Sequence, residues 1–307
     1  MRRRRLGSSG MDLSVIGYGA WEAGGDDWGA NESDDAVLAA IHAALDAGIN
    51  WIDTAEVYGQ GESERLVGLA VAGRRDDVLI ASKVAPADAG SGFRREQVVA
   101  ACEGSLQRMR IDVIDLYQLH WPDESGVPIE ETWDAMASLI ESGKVRFIGV
   151  SNFDRDLIER CEAIRHVDSL QQEFSMLHLD DRKLIEWCGE RGTGVVTYSP
   201  LAVGMLTGRF TRESAAAVDD WRRGEEDGPL GAAHLDRNLA FVESLRPIAE
   251  RVGCTIAQLA LAWNWHQPGV TSAIAGSRTP GHVRENAAAG DLVLDDATLA
   301  KVDGMLT

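Results

Sequence analysis

Cysteine is scarce, positive charge is outnumbered, and no long apolar run is present. Each absence excludes something. The 307 residues include four cysteines, Cys102, Cys161, Cys188 and Cys254, and no C-x-x-C pair. Neither a zinc site nor a redox pair is indicated; reduced thiols in a cytoplasmic protein are expected. Lys and Arg number 30 against 49 Asp and Glu, a formal net charge of −19. A general nucleic-acid binder needs the opposite balance, because its affinity comes from cations that neutralise phosphates. Residues 252–277 carry no formal charge, but Gln258, Asn264, His266, Gln267 and Pro268 interrupt them, so no membrane span is expected. No apolar segment follows the arginines at 2–5, so no secretory signal is read there. Instead, about residues 1–14 read as a hairpin turning at Ser8-Ser9-Gly10. No H-E-x-x-H or carboxylate cluster suggests a metal, and no Ser or Cys nucleophile triad is visible.

What is present is an ordinary globular mix, 45% apolar and 26% charged, long enough to bury a large core. Eight short apolar runs read as buried parallel strands, at 15–18, 50–52, 78–82, 113–119, 147–150, 169–172, 194–198 and 272–275. Amphipathic stretches lie between them. Ser33 is placed to cap a helix with an apolar face of Val37, Leu38, Ile41 and Leu45, and Gly48 to stop it. Thr255-x-x-Gln258 is a capping-box pattern. Strand and helix alternate without a linker. Eight such units predict a single (β/α)8 TIM barrel over residues 1–307 rather than an open doubly wound sheet. An open dinucleotide-binding sheet would need G-x-G-x-x-G after its first strand, and Gly17-Tyr18-Gly19 is followed by Ala20-Trp21-Glu22. One long connection follows the seventh barrel strand, about 201–234, and is expected to act as a lid or ligand clamp.

In such a barrel the working residues lie at the C-terminal strand ends. Those ends present Trp21, Asp53 with Tyr58 close behind, Lys83, His120, Ser151-Asn152, Gln172, Tyr198-Ser199 and Ser277-Arg278. Asp53, Tyr58, Lys83 and His120 form the informative group. A free phenol titrates near ~10, too high for easy proton exchange at neutral pH. An adjacent ammonium is expected to lower that value. A carboxylate keeps the ammonium charged, and an imidazole can orient a carbonyl. Each residue alone has a bland reading: a turn cap for Asp53, a packed aromatic for Tyr58, a core histidine for His120. Together they compose a general acid for a carbonyl oxygen.

With these residues the chain resembles the aldo-keto reductase superfamily, in its bacterial or plant-type branch. The segments that carry the likeness are Trp51-Ile52-Asp53-Thr54-Ala55-Glu56-Val57-Tyr58-Gly59, Ile80-Ala81-Ser82-Lys83, Asp115-Leu116-Tyr117-Gln118-Leu119-His120, Ile148-Gly149-Val150-Ser151-Asn152-Phe153, Tyr198-Ser199-Pro200-Leu201 and Ala275-Gly276-Ser277-Arg278 with Glu285-Asn286. The resemblance implies NADP(H) lying across the barrel mouth and hydride transfer to an aldehyde or ketone. It implies Tyr58 as proton donor, tuned by Lys83 and Asp53, with His120 orienting the carbonyl. It implies Tyr198 under the nicotinamide, and Ser151, Asn152 and Gln172 on its carboxamide. Ser199 would also touch the cofactor; Leu201, Gly204, Leu206 and Gly208 would fold over the pyrophosphate, Ser277 and Arg278 would meet the 2′-phosphate, and Glu285 and Asn286 the adenine. Two departures stand out. Gly276 and His282 occupy positions where many members carry Lys and Arg, and Phe174 stands where a Tyr is common.

Trp21 and Trp121 are expected to wall a small-molecule carbonyl substrate, with Trp28 and Trp221 near them. The expected state is a monomer or small homo-oligomer that binds neither nucleic acid nor membrane. Rival readings are a cofactor-sensing regulatory protein on the same scaffold, as in voltage-gated potassium channel beta subunits, and a sugar or alcohol dehydrogenase running in the oxidative direction. A phosphate-sugar isomerase on a barrel is disfavoured by Tyr198 and the Ser151-Asn152 pair.

Overall fold

Short strands that are apolar on both faces must be covered on both faces, and the amphipathic crossovers supply the outer cover. The computed structural model describes residues 1–25, 27–29, 31 and 33–306. Strands β1 (Arg3–Arg5) and β2 (Asp12–Ser14) form the antiparallel N-terminal hairpin. The barrel strands are β3 (Ile16–Gly19), β4 (Trp51–Asp53), β5 (Leu79–Val84), β6 (Ile114–Leu119), β7 (Val145–Ser151), β8 (Ser169–Glu173), β9 (Gly194–Tyr198) and β10 (Val270–Gly276). They close in chain order, β10 pairing with β3, and every pairing is parallel. The eight expected strands are these eight.

The helices are α1 (Asp34–Asp46), α2 (Glu62–Ala70), α3 (Arg95–Met109), α4 (Ile129–Glu141), α5 (Arg155–Glu162), α6 (Arg182–Glu190), α7 (Arg212–Ala216), α8 (Leu235–Val252), α9 (Ile256–His266), α10 (Pro280–Ala288) and α11 (Asp296–Asp303). Ser33 caps α1 by accepting from the Ala36 amide, and Thr255 with Gln258 makes a reciprocal capping box on α9. Helices α7, α8 and α11 were not expected from the sequence; α8 carries Pro247 in its interior, a residue that normally argues against a helix. The long connection after β9 is not bare loop. It holds a 3-10 turn at Ala202–Thr207 and the short α7 before α8 begins. None of the described helices is long and apolar enough to cross a membrane.

Two apolar layers hold the barrel. The larger lies between sheet and helices. The smaller fills the barrel interior with Trp51, Ala81, Leu116, Val196 and Ile274, and the hairpin adds Leu6, Met11 and Leu13 as a plug. Trp51 is pinned inside it, its indole donating to the Ser14 carbonyl and Ser272 Oγ, both at 3.1 Å. A Cβ at Gly17 would fall 2.3 Å from that ring. Gly17→Ala is therefore expected to lower stability by about 1–3 kcal/mol through overpacking, read as a reduced urea midpoint with activity per folded molecule retained. All four cysteines are free thiols, and burial pushes Cys102, Cys161 and Cys188 up to about 12.

Candidate active site

The C-terminal rim of the barrel surrounds a cleft of about 750 Å³, within the range of small-molecule and cofactor sites. Parallel strands deliver side chains to this rim in register. Asp53 ends β4, Lys83 is the penultimate residue of β5, His120 follows β6, and Ser151 ends β7. Tyr58 starts a 3-10 turn five residues after Asp53.

Lys83 is fully buried beneath the cleft, and its three ammonium protons have three acceptors. They are Asp53 Oδ1 at 2.5 Å, the Thr54 carbonyl at 2.9 Å and Tyr58 Oη at 3.3 Å. Because the ammonium donates to Tyr58, the phenol's own proton remains for another acceptor. Asp53 Oδ2 accepts from Gln171 Nε2 at 2.8 Å. The carboxylate is thus held on both oxygens. His120 is neutral at ordinary pH: burial, then the Lys83 charge, holds its imidazole well below the usual value. Trp121 lies flat on the imidazole, centroids 3.8 Å apart.

The expected lowering of the phenol does not occur. Burial, reinforced by the Asp53 charge, raises Tyr58 well above its ordinary value. Burial also lowers Lys83, against the pull of Asp53. The ion pair explains the outcome: Asp53 spends the ammonium's field before it reaches the phenol, 3.3 Å away. The site therefore holds a protonated phenol.

Ten of the predicted cofactor residues line the cleft: Ser151, Asn152, Tyr198, Ser199, Leu201, Gly204, Ser277, Arg278, Glu285 and Asn286. Asn152 adopts a positive φ of 62° and bridges the wall. Its Oδ1 accepts from Tyr198 Oη at 2.8 Å, and its Nδ2 donates to the His120 carbonyl at 3.0 Å. Arg278 donates to the carbonyls of Trp28 and Gly29, each at 2.8 Å, tying the β10 end to the loop after β3. Three predicted residues lie elsewhere. Gln172 donates to Asp181 at 2.8 Å outside the cleft, and Gln171 takes its place on the wall. Leu206 is buried in the core, and Gly208 packs on Ile256. The Gln172 correction is one of strand parity. Leu170 faces the helices, so Gln171 must face inward, as its register partner Ser151 does.

Both predicted substrate residues, Trp21 and Trp121, line the cleft. Trp21 meets Trp28 and Trp221, each at 5.3 Å between centroids, so the long connection reaches across to the loop after β3. Arg222 of that connection sits 4.9 Å over Trp28 and donates to the Val203 carbonyl. Arg209 reaches Glu285 at 2.6 Å and His282 at 2.5 Å on α10. Glu22, Arg209 and Arg222 were not foreseen as lining residues. Their positions depend on loop-to-loop contacts that no periodicity marks.

The chain is 35% identical over 291 residues to the aldo-keto reductase YhdN of Bacillus subtilis, covering 92% of this chain and 87% of that protein. Its fold superposes on a glycerol dehydrogenase of Gluconobacter oxydans with a TM-score of 0.87 at 31% identity, covering 99% and 94% of the two chains. It also superposes on an aldo-keto reductase of Klebsiella pneumoniae, solved in complex with NADPH, with a TM-score of 0.77 at 31% identity over 100% and 96%. With residues 15–307 matching the model of the aldo/keto reductase family, the chain belongs to that family.

Proposed function

We propose that this protein is an NADPH-dependent reductase of aldehydes or ketones, with Tyr58 as its general acid. One observation carries the reading: a phenol that keeps its proton, fed on its oxygen by a buried, carboxylate-paired ammonium at the cleft floor. The cleft also fits the cofactor. Its wall offers the Tyr198 ring, the polar groups of Ser151 and Gln171, and the cations Arg209, Arg222 and Arg278 toward the start of α10. When bound, NADPH supplies the hydride. Tyr198 would support its nicotinamide, Ser151 and Gln171 its carboxamide, and Ser277 with Arg278 its 2′-phosphate. Tyr58 Oη gives a proton to the substrate oxygen while Lys83 stabilises the resulting phenolate. Neutral His120 orients that oxygen without competing for the proton. The tryptophans at the mouth exclude water and favour flat apolar substrates. By microscopic reversibility the same groups serve alcohol oxidation.

The test is NADPH oxidation against an activated aldehyde and a reactive diketone, with NADH as the cofactor comparison. Turnover with a preference for NADPH is expected. Tight NADPH binding without turnover of any carbonyl would favour the cofactor-sensing reading. No binding of either nucleotide would overturn both. Trp121→Ala removes the exposed ring stacked on His120 and is expected to raise KM for an aromatic aldehyde about tenfold, for ~1.4 kcal/mol of lost contact, with a smaller effect on a two-carbon aldehyde. In a pH series, kcat for reduction is expected to stay flat from about pH 6 to 9. The imidazole is already neutral and the phenol still protonated across that window. A titration near pH 6.5 that vanishes in His120→Gln would contradict it.

A further inference from the structure

An acid stands where an anionic ligand is to be received. Glu22 opens the 3-10 turn Glu22–Gly24 directly after the first barrel strand, and its side chain lines the cleft. Arg278, just beyond β10, is the largest source of positive potential acting on its carboxylate. A Cβ on Gly276 would stand 3.5 Å from Glu22 Oε1, so the carboxylate leans over the end of β10. The chain thus lacks a cation at 276 and places an anion beside it.

The groups that face this carboxyl come from every side of the cleft. Arg278 beyond β10 and Arg222 of the long connection attract its charge, while burial works against it and holds the group above the usual carboxylate range. Tyr18 lies below in β3, its hydroxyl donating to the Ser277 carbonyl at 3.0 Å. Asp27, on the same loop as Glu22, also lines the cleft and accepts from Trp21 Nε1 at 2.9 Å. Further along the wall stand Arg209, His282 and Glu285, already paired to one another. Both cations near Glu22 are shared. Arg222 also serves Asp220, and Arg278 also serves the carbonyls of Trp28 and Gly29.

We propose that Glu22 sets the affinity for the phosphate-bearing cofactor by taking up a proton as that cofactor enters the cleft. The inference rests on the NADP(H) reading above. Phosphates brought beside a half-compensated carboxylate disfavour its ionised form. Relief comes most directly from protonation, which removes the charge. Binding is then linked to proton uptake. Affinity falls as pH rises, up to tenfold per unit, wherever Glu22 is ionised in the free protein and protonated in the complex.

The experiment titrates the full chain with NADPH by calorimetry at pH 8, in two buffers of different ionisation heat. The difference counts protons directly. Fluorescence titrations from pH 6 to 9 supply Kd. NADH runs alongside, because the 2′-phosphate itself titrates near pH ~6. Wild type is expected to take up about half to one proton with NADPH and clearly less with NADH, which brings no 2′-phosphate to Ser277 and Arg278. Glu22→Gln is expected to take up none, to bind with a Kd nearly independent of pH, and to bind about tenfold more tightly than wild type at pH 8. Unchanged uptake and slope in Glu22→Gln would overturn the proposal. So would uptake lost in His282→Gln but kept in Glu22→Gln, which assigns the proton to the histidine. Failure of either nucleotide to bind wild type and both variants would instead bring down the cofactor reading itself.

Discussion

Tyr58→Phe is expected to lower kcat for carbonyl reduction by about 10²–10⁴-fold, the range a positioned general acid contributes, and to leave NADPH affinity unchanged. The substitution removes one oxygen from a ring held by its neighbours. Trp21 lies 6.2 Å away and the His120 ring 5.5 Å, centroid to centroid. Lys83 loses its longest acceptor and keeps Asp53 and the Thr54 carbonyl, so the buried ammonium stays paired. The fold and the cofactor wall should therefore survive, and the loss should fall on kcat. Steady-state NADPH oxidation and direct cofactor titration measured on one preparation separate the two. A phenylalanine variant that retains kcat within fivefold would remove Tyr58 from the proton transfer. The remaining donor near a carbonyl would then be His120, and the flat pH profile would have to give way to one that falls as the imidazole loses its proton.

How far the sequence could be read follows from which physical rule each element obeys. The eight strands were legible because each is a short apolar run closed by turn chemistry, and parallel burial enforces that pattern. The gathering of Asp53, Tyr58, Lys83 and His120 was legible because barrel topology sends successive strand ends to one face. Gln171 was missed in favour of Gln172 by one residue. In a strand that slip exchanges inside for outside, and a polar pair offers no contrast by which to choose. Leu206 and Gly208 sit in the right connection, but the 3-10 turn there directs them into the protein. Glu22, Arg209 and Arg222 owe their places to contacts between segments up to about 250 residues apart in sequence, which local pattern does not encode. The sign of the Tyr58 shift was missed for another reason. Residue types reveal that an ammonium and a phenol meet, but the balance depends on burial and on how much of the charge Asp53 neutralises.

The ion pair beneath that phenol carries the largest stability effect. Asp53→Ala is expected to destabilise the fold by about 3–5 kcal/mol, because it strands a buried partner charge. Lys83 is fully buried and loses the carboxylate at 2.5 Å; Gln171 Nε2 loses its acceptor as well. The variant can relieve part of this by giving up the lysine proton in the folded state. That choice leaves a signature in pH. The unfolded lysine keeps its proton to about pH 10, while the folded one, already lowered by burial, is lowered further without Asp53. The unfolded state then binds more protons, so stability rises with pH. The urea midpoint of Asp53→Ala should climb between pH 7 and 9 more steeply than that of wild type. Pairing Asp53→Leu with Lys83→Met removes both charges and should restore most of the stability, since a buried pair contributes little net beyond well-packed apolar groups. It should restore no activity, because Tyr58 Oη would lack the donor that readies its proton for transfer. If the double variant is no more stable than Asp53→Ala, the pair itself holds this end of the barrel together. If the double variant is stable and active, the buried ammonium has no part in the chemistry.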